Sequence, residues 1–347
     1  MQKQEFLSKW LEIIKNSSAI MLEKQNFVNS LLKSIRNCSP RHTYDIAWMR
    51  AMLDILEKDE ASPGKGGIMI DLHLTAARMI SYYWDQTAFF ELVQGPNPAR
   101  QPDLIARTGE LIKSYYRTIG IDGPVPFEKA RFNTRLRGEL EELVQAAVEI
   151  LKNDVVAGFF SRGQWPENFH KYNRGEQTLL LSPAAASAIS ENSLLITETV
   201  YYRWTQILEN YNLCPRLNRK IRIIDSPDPR DRQLSFYSKY LDLENPEHLC
   251  FICGRPVDRE ELQISHVIPW SCLCSDDIWN LVYTHGKCRW PGSRPVPSEF
   301  FIARLEKRNR KLLSLLDQHV EEDIVAGALQ DAVSRDLLKK SWILYKN

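Results

Sequence analysis

Four residues stand in two short pairs. Cys250 and Cys253 form C-x-x-C, and His285 and Cys288 form H-x-x-C. Two such pairs supply four soft ligands, the usual make-up of a closed zinc site built from Cys and His. Taken alone, that spacing suits a zinc ribbon or knuckle that binds without doing chemistry as well as it suits an enzyme module. Between the pairs lie His266, followed by V-I-P-W, and Asn280, inside D-D-I-W-N-L-V. Cys272 and Cys274, in S-C-L-C-S, fall outside the paired pattern and read as core filling rather than as further ligands.

The order of these residues across 248–297 resembles the HNH endonucleases, also called ββα-metal or His-Me finger nucleases. In zinc-stapled members, two ligand pairs clamp a small hairpin and helix, and the hairpin carries the catalytic histidine. The resemblance implies that Cys250, Cys253, His285 and Cys288 bind a structural Zn2+. It makes His266 the base that deprotonates the attacking water. Asn280 then holds the ββα geometry and orients that histidine through hydrogen bonding. The implied activity is hydrolysis of DNA phosphodiester bonds with a catalytic Mg2+ or Mn2+. Proteins with a helical front and a C-terminal module of this kind resemble bacterial restriction or anti-phage nucleases.

Two positions depart from the pattern. Many members carry Asp or another metal ligand just before the histidine, where this chain has Ser265. The third signature residue, His or Asn, should fall nine after the middle Asn, and there the chain has Arg289. A guanidinium carries a fixed positive charge and cannot coordinate a metal ion. Three consequences stay open. Asp276, Asp277 or a residue outside the motif completes the metal site. Alternatively Arg289 takes over stabilisation of phosphate charge, which would make it catalytic beside His266 and Asn280. The third is a degenerate HNH module that serves as a zinc-stabilised nucleic-acid- or protein-binding domain.

The rest of the chain must position these residues. Its 347 residues suffice for two or three domains, and 44% hydrophobic with 26% charged residues is ordinary for a globular protein. The net charge is +1, so contact with DNA has to come from a local patch. Seven cysteines, three of them used in ligand pairs, fit a reducing cytoplasm better than a disulfide framework. No signal peptide and no apolar run of membrane-spanning length is read, so no membrane is expected.

Helical spacing dominates the front. Phe6, Trp10, Ile13 and Ile14 recur at that spacing, as do Phe27, Leu31 and Ile35, and then Tyr44, Trp48, Met52 and Ile55. Further helices are expected over 71–90, 104–116 and 131–151, with a turn at 61–67 and a linker at 119–127. The stretch 159–177 mixes aromatics with Arg and Lys; it reads as a packed connector, with base stacking as the alternative. Leu179–Leu181 suggests a short strand, and Ser182-Pro183 the cap and first turn of a helix. The most basic run is 216–232, where Arg216, Arg219, Lys220 and Arg222 are candidates for phosphate contact, against a plain exposed strand. Residues Arg304, Lys307, Arg308, Arg310 and Lys311 of a later helix could also face phosphates.

The expected fold is mainly α with a small α+β (ββα-metal), zinc-containing C-terminal module. Four segments are expected. Residues 1–120 form a helical domain for target recognition, docking to a protein partner or homodimer formation. Residues 121–235 form a mainly helical middle region. The nuclease-like zinc module spans 236–312, and a C-terminal helix spans 313–347.

Overall fold

A computed structural model describes residues 2–120, 123–225, 233–288, 296–316 and 324–346, with the backbone alone at 2–17 and 224–225. The protein is mostly helical, with two small antiparallel sheets. It divides into two compact units, residues 1–212 with 221–224, and residues 213–220 with 225–347. Among the described residues no helix is long and apolar enough to cross a membrane.

The first unit begins with helix α1 (Gln2–Arg36) and helix α2 (Tyr44–Glu57). Every residue of α2 from Tyr44 to Ile55 is buried, so this helix runs through the centre rather than along a surface. That position takes charges inside, and each is paired. Arg50 meets Asp54 at 2.6 Å, and Asp45 receives Arg162 at 2.6 Å. Strands β1 (Ser62–Gly64) and β2 (Gly67–Asp71) form a hairpin leading into α3 (Leu72–Phe90). The Asp71 carboxylate caps α3 by accepting from the His73 N–H at 2.7 Å. Helices α4 (Asp103–Ile119), α5 (Phe127–Ala130) and α6 (Arg137–Ile150) follow. A single wider turn at Leu151–Val155 joins α6 to α7 (Val156–Gly163). Strands β3 (His170–Asn173) and β4 (Thr178–Leu181) precede α8 (Pro183–Glu191) and α9 (Ser193–Glu209).

The division expected near residue 120 falls inside this unit. Helix α6 packs on α3 and on α4, so segments either side of the linker share one core. Phe27, Trp48, Trp84, Phe159, Tyr201 and Trp204 sit in that core. The aromatic run at 159–177 belongs to it: Phe159, Phe160, Trp165 and Phe169 are buried, and Phe169 stacks on Phe27 at 4.7 Å. This is the packed connector, not a stacking platform.

The strand expected at 179–181 is found, but its partners were not anticipated. The sheet has the order β1-β2-β4-β3, with Met69 opposite Leu180 and Tyr172 opposite Leu179. Gly67 makes this pairing possible, because a Cβ there would lie 1.9 Å from the Leu181 carbonyl oxygen.

In the basic run, a short helix α10 (Leu217–Ile221) and one 3-10 turn (Arg222–Asp225) replace the exposed strand weighed from sequence. Residues 226–232 lie outside the described residues. Helix α11 (Ser238–Glu244) opens the region of the two Cys/His pairs, followed by β5 (Leu262–His266), α12 (Trp270–Leu273), a 3-10 turn at Ile278–Asn280 and β6 (Leu281–His285). The second unit closes with α13 (Glu299–Leu316), α14 (Ile324–Ser334) and α15 (Leu337–Lys346). Thus the module boundary expected at 312 falls inside α13, and the described part of 324–346 is two helices rather than one.

This unit has its own core, built from Leu241, Val267, Ile268, Trp279, Val282, Leu305, Leu312 and Leu329 among others. Arg308 is buried inside it and donates to the Ile278 carbonyl at 3.1 Å and to the Leu281 carbonyl. Burial lowers its guanidinium to about 10, against the pull of Glu244. Asn309 donates to the Trp279 carbonyl at 2.9 Å. Helix α13 therefore holds the turn before β6 by side-chain bonds as well as by packing.

Candidate metal centre and active site

Strands β5 and β6 pair antiparallel from Leu262 opposite His285 to His266 opposite Leu281. That register puts His266 at one end of the hairpin and His285 at the other. Both imidazoles lie on the same face of the hairpin, and the length of the strands keeps them in separate surroundings.

At the His285 end, the ligand atoms of Cys250, Cys253, His285 and Cys288 all lie within 4.8 Å of one another. The first pair sits on a tight turn. Cys250 N–H donates to the Arg255 carbonyl, and Gly254 N–H donates back to the Cys250 carbonyl, both at 2.8 Å. Gly254 has φ of +73°, a left-handed conformation that glycine takes without a steric penalty. The turn is joined to β6, because Phe251 N–H donates to the Tyr283 carbonyl at 2.8 Å. The second pair is the end of β6 and the turn after it, with Cys288 N–H donating to the His285 carbonyl at 3.1 Å.

Arms of about 2.3 Å to sulfur and about 2.0 Å to nitrogen give a tetrahedron with sulfur–nitrogen edges of about 3.5 Å. From His285 Nδ1 the edges are 3.5 Å to Cys253 Sγ and 3.7 Å to Cys288 Sγ. The other ring nitrogen, Nε2, lies 3.0 Å from the Pro256 carbonyl oxygen. A carbonyl only accepts, so Nε2 carries the proton and the Nδ1 lone pair faces the sulfurs. The Arg255 backbone N–H draws Cys253 down to about 6, whereas lost hydration and the neighbouring thiols push Cys288 up to about 11. A divalent cation would let all three ionise together. The group can therefore hold a metal ion such as zinc. Cys272 is buried in the core, as its spacing suggested, and burial pushes its thiol up to about 11.

At the opposite end of the hairpin, His266 Nε2 lies 2.9 Å from Asp276 Oδ1. The His266 side chain is 8% exposed and that of Asp276 is 26% exposed. Asn280 is fully buried, and its amide is used at both ends: Oδ1 accepts from Ile268 N–H and Nδ2 donates to the Ile268 carbonyl, each at 2.8 Å. Val267 N–H donates to the Asn280 carbonyl at 2.9 Å. Asn280 thus fixes the backbone just after His266. The direct hydrogen bond to the imidazole that the resemblance implied is made by Asp276 instead. Nothing in the spacing of the sequence singled out Asp276 for this role.

The expected divalent-metal ligands are engaged elsewhere. Ser265 Oγ and the Thr284 hydroxyl are 2.7 Å apart. Asp277 accepts from the Ser275 hydroxyl at 2.6 Å and from both terminal nitrogens of Arg216, at 3.1 and 3.2 Å. Asp276 is on His266. A magnesium or manganese ion prefers several oxygen ligands, and the residues around His266 do not fit such an ion. Among the described residues the Cys3His group is the only cluster of three or more His, Cys, Asp and Glu placed to share one ion. Arg289 lies outside the described residues.

The basic candidates are mostly turned to protein partners. Arg216 also donates to the Leu273 carbonyl at 3.2 Å and to Ser275. Lys220 is 3% exposed. Arg222 pairs with Glu198 at 2.5 Å and lies 4.2 Å from the centre of the Tyr201 ring. Of the four, Arg219 is the exposed one. On α13, Arg304 donates to the Phe251 carbonyl at 2.8 Å and Lys311 to the Glu244 carbonyl at 2.7 Å, while Lys307 and Arg310 are exposed.

Comparison with protein-family models, with curated proteins and with solved structures finds no match for this chain.

Proposed function

We propose that the second unit is an HNH-type endonuclease module that hydrolyses DNA phosphodiester bonds, with His266 as general base. One observation supports this above the others. A largely buried imidazole stands at the connected end of a short hairpin, held by a carboxylate on one side and by a buried Asn clamp behind it, and it has no part in the metal group. In this reading Cys250, Cys253, His285 and Cys288 hold a structural Zn2+ that, with four protein ligands, has no open position for water. The zinc stabilises the fold, and the chemistry belongs to the other end of the hairpin.

His266 takes a proton from water. The hydroxide oxygen forms a bond to phosphorus, the bond from phosphorus to the leaving sugar oxygen breaks, and that oxygen takes a proton from solvent. No step is routed through Mg2+ or Mn2+, because the residues beside His266 do not make up a set of ligands for it. The role of Arg289 as counter-charge to the phosphate, and the setting in restriction or phage defence, rest on the sequence resemblance alone.

A second reading has its own observation. Ser265 and Asp277 are both committed to protein partners, which favours a zinc-stabilised binding module with little catalysis. Nicking of supercoiled plasmid separates the two, run with magnesium, manganese, nickel and chelator beside His266→Ala. The nuclease reading expects nicking that the substitution abolishes. Wild-type protein that binds DNA and leaves it intact under all four conditions supports the binding module.

A further inference from the structure

We propose that Asp276 is the positioning residue of His266: its carboxylate accepts the Nε2 proton and leaves the Nδ1 lone pair as the proton acceptor. The catalytic half of this statement rests on the nuclease reading; the tautomer does not. The carboxylate oxygen is 2.9 Å from Nε2, within hydrogen-bond range. An ionised carboxylate has no proton to give, so the proton of that bond is on Nε2. In a neutral imidazole the free lone pair is then on Nδ1. Among the described residues Nδ1 makes no hydrogen bond, which leaves it available to a water molecule.

The segment that carries Asp276 is held so that the carboxylate stays against the ring. Arg216 grips it on both sides, through the Leu273 carbonyl and the Asp277 carboxylate. Ser275 closes on Asp277 at 2.6 Å. Asn280 fixes Ile268, two residues after the histidine. His266 and Asp276 are thus attached to two backbone stretches that are themselves tied down, ten positions apart in sequence. The neighbouring carboxylate is the one bound to Arg216, so the pair of aspartates is divided between two tasks. When Nδ1 takes a proton from water, the ring becomes a cation, and Asp276 is the anion already beside it. An ion pair that only braces the loop would not require one tautomer, and that difference is measurable.

The test uses the full chain, loaded with zinc and labelled with 15N at histidine. Two-bond 15N–1H spectra at a pH where the ring is neutral report which nitrogen carries the proton, and the His266→Ala spectrum assigns the signals. The proposal expects a protonated Nε2 and a bare Nδ1 in the wild type, and a mixture of tautomers in Asp276→Ala. Single-turnover cleavage of a short DNA duplex should be slower by about 10- to 100-fold in Asp276→Ala, with zinc content and DNA affinity unchanged. Asp276→Asn should fall between, since its amide oxygen can still accept from Nε2 without the charge. A wild-type ring protonated at Nδ1, or an unchanged tautomer in Asp276→Ala, overturns the proposal. The wild-type spectrum decides even if both variants fail to fold. Wild-type protein that shows the expected tautomer but cuts no DNA removes the nuclease reading and leaves the positioning role standing.

Discussion

At the residue scale, two imidazoles on one hairpin have been given different work by what faces their second nitrogen. The Pro256 carbonyl at 3.0 Å from Nε2 leaves the His285 Nδ1 lone pair facing the cysteine sulfurs. The Asp276 carboxylate at 2.9 Å from Nε2 gives His266 an anionic neighbour. The metal group has a pH dependence whose sign follows from its protons. Each thiol must lose one to bind zinc, and Cys288 sits at about 11 without a cation. Protons therefore compete with the metal, and zinc affinity falls as the pH falls. Dialysis against a chelator at pH 7.5 and at about pH 5, followed by metal analysis, should show faster zinc loss at the acid pH. Equal retention at both would mean that the thiols are not the ligands.

At the element scale, the hairpin depends on contacts from outside its own strands. Asn280 satisfies both backbone groups of Ile268, and the whole side chain is buried. Asn280→Ala leaves a buried N–H and a buried carbonyl without partners, at about 1–3 kcal/mol each. Denaturant unfolding should show a loss of about 2–6 kcal/mol in the unit that contains it. A loss under about 0.5 kcal/mol, the range of ordinary surface changes, would show that the clamp is dispensable. The basic run is a second case. Arg219 is exposed and Lys220 is buried, although they are neighbours in sequence. If this run meets DNA, Arg219→Ala should lower the salt slope of binding by about one, and Lys220→Ala should lower stability with the slope unchanged. The reverse pattern would mean that the folded arrangement differs from the one described.

At the scale of the whole molecule, what could be read from sequence tracks how local the cause is. The helices of the first unit follow from periodic apolar residues and local caps, such as Asp71 before α3 and Ser182 before α8. The four candidate metal ligands follow from two spacings of fixed length. The four-stranded sheet did not show itself, because β2 and β4 are short and pair across about a hundred residues, and only Gly67 hints at the close approach. Nor could a list of charges show that Arg216 would turn to Asp277, or that Asp276 rather than Asn280 would meet the imidazole; both are set by tertiary packing. On the proposed reading the second unit has two separate tasks, folding around a metal at one end of a hairpin and proton transfer at the other. The most direct measurement of that separation is the single-turnover cleavage rate of a DNA duplex by wild type and His266→Ala, at equal zinc content and equal DNA occupancy. Removal of a general base should slow cleavage by at least about 100-fold while zinc and DNA binding stay the same. Equal rates in the two proteins, or a wild type that binds the duplex and never cuts it, would contradict the assignment of His266 as the base.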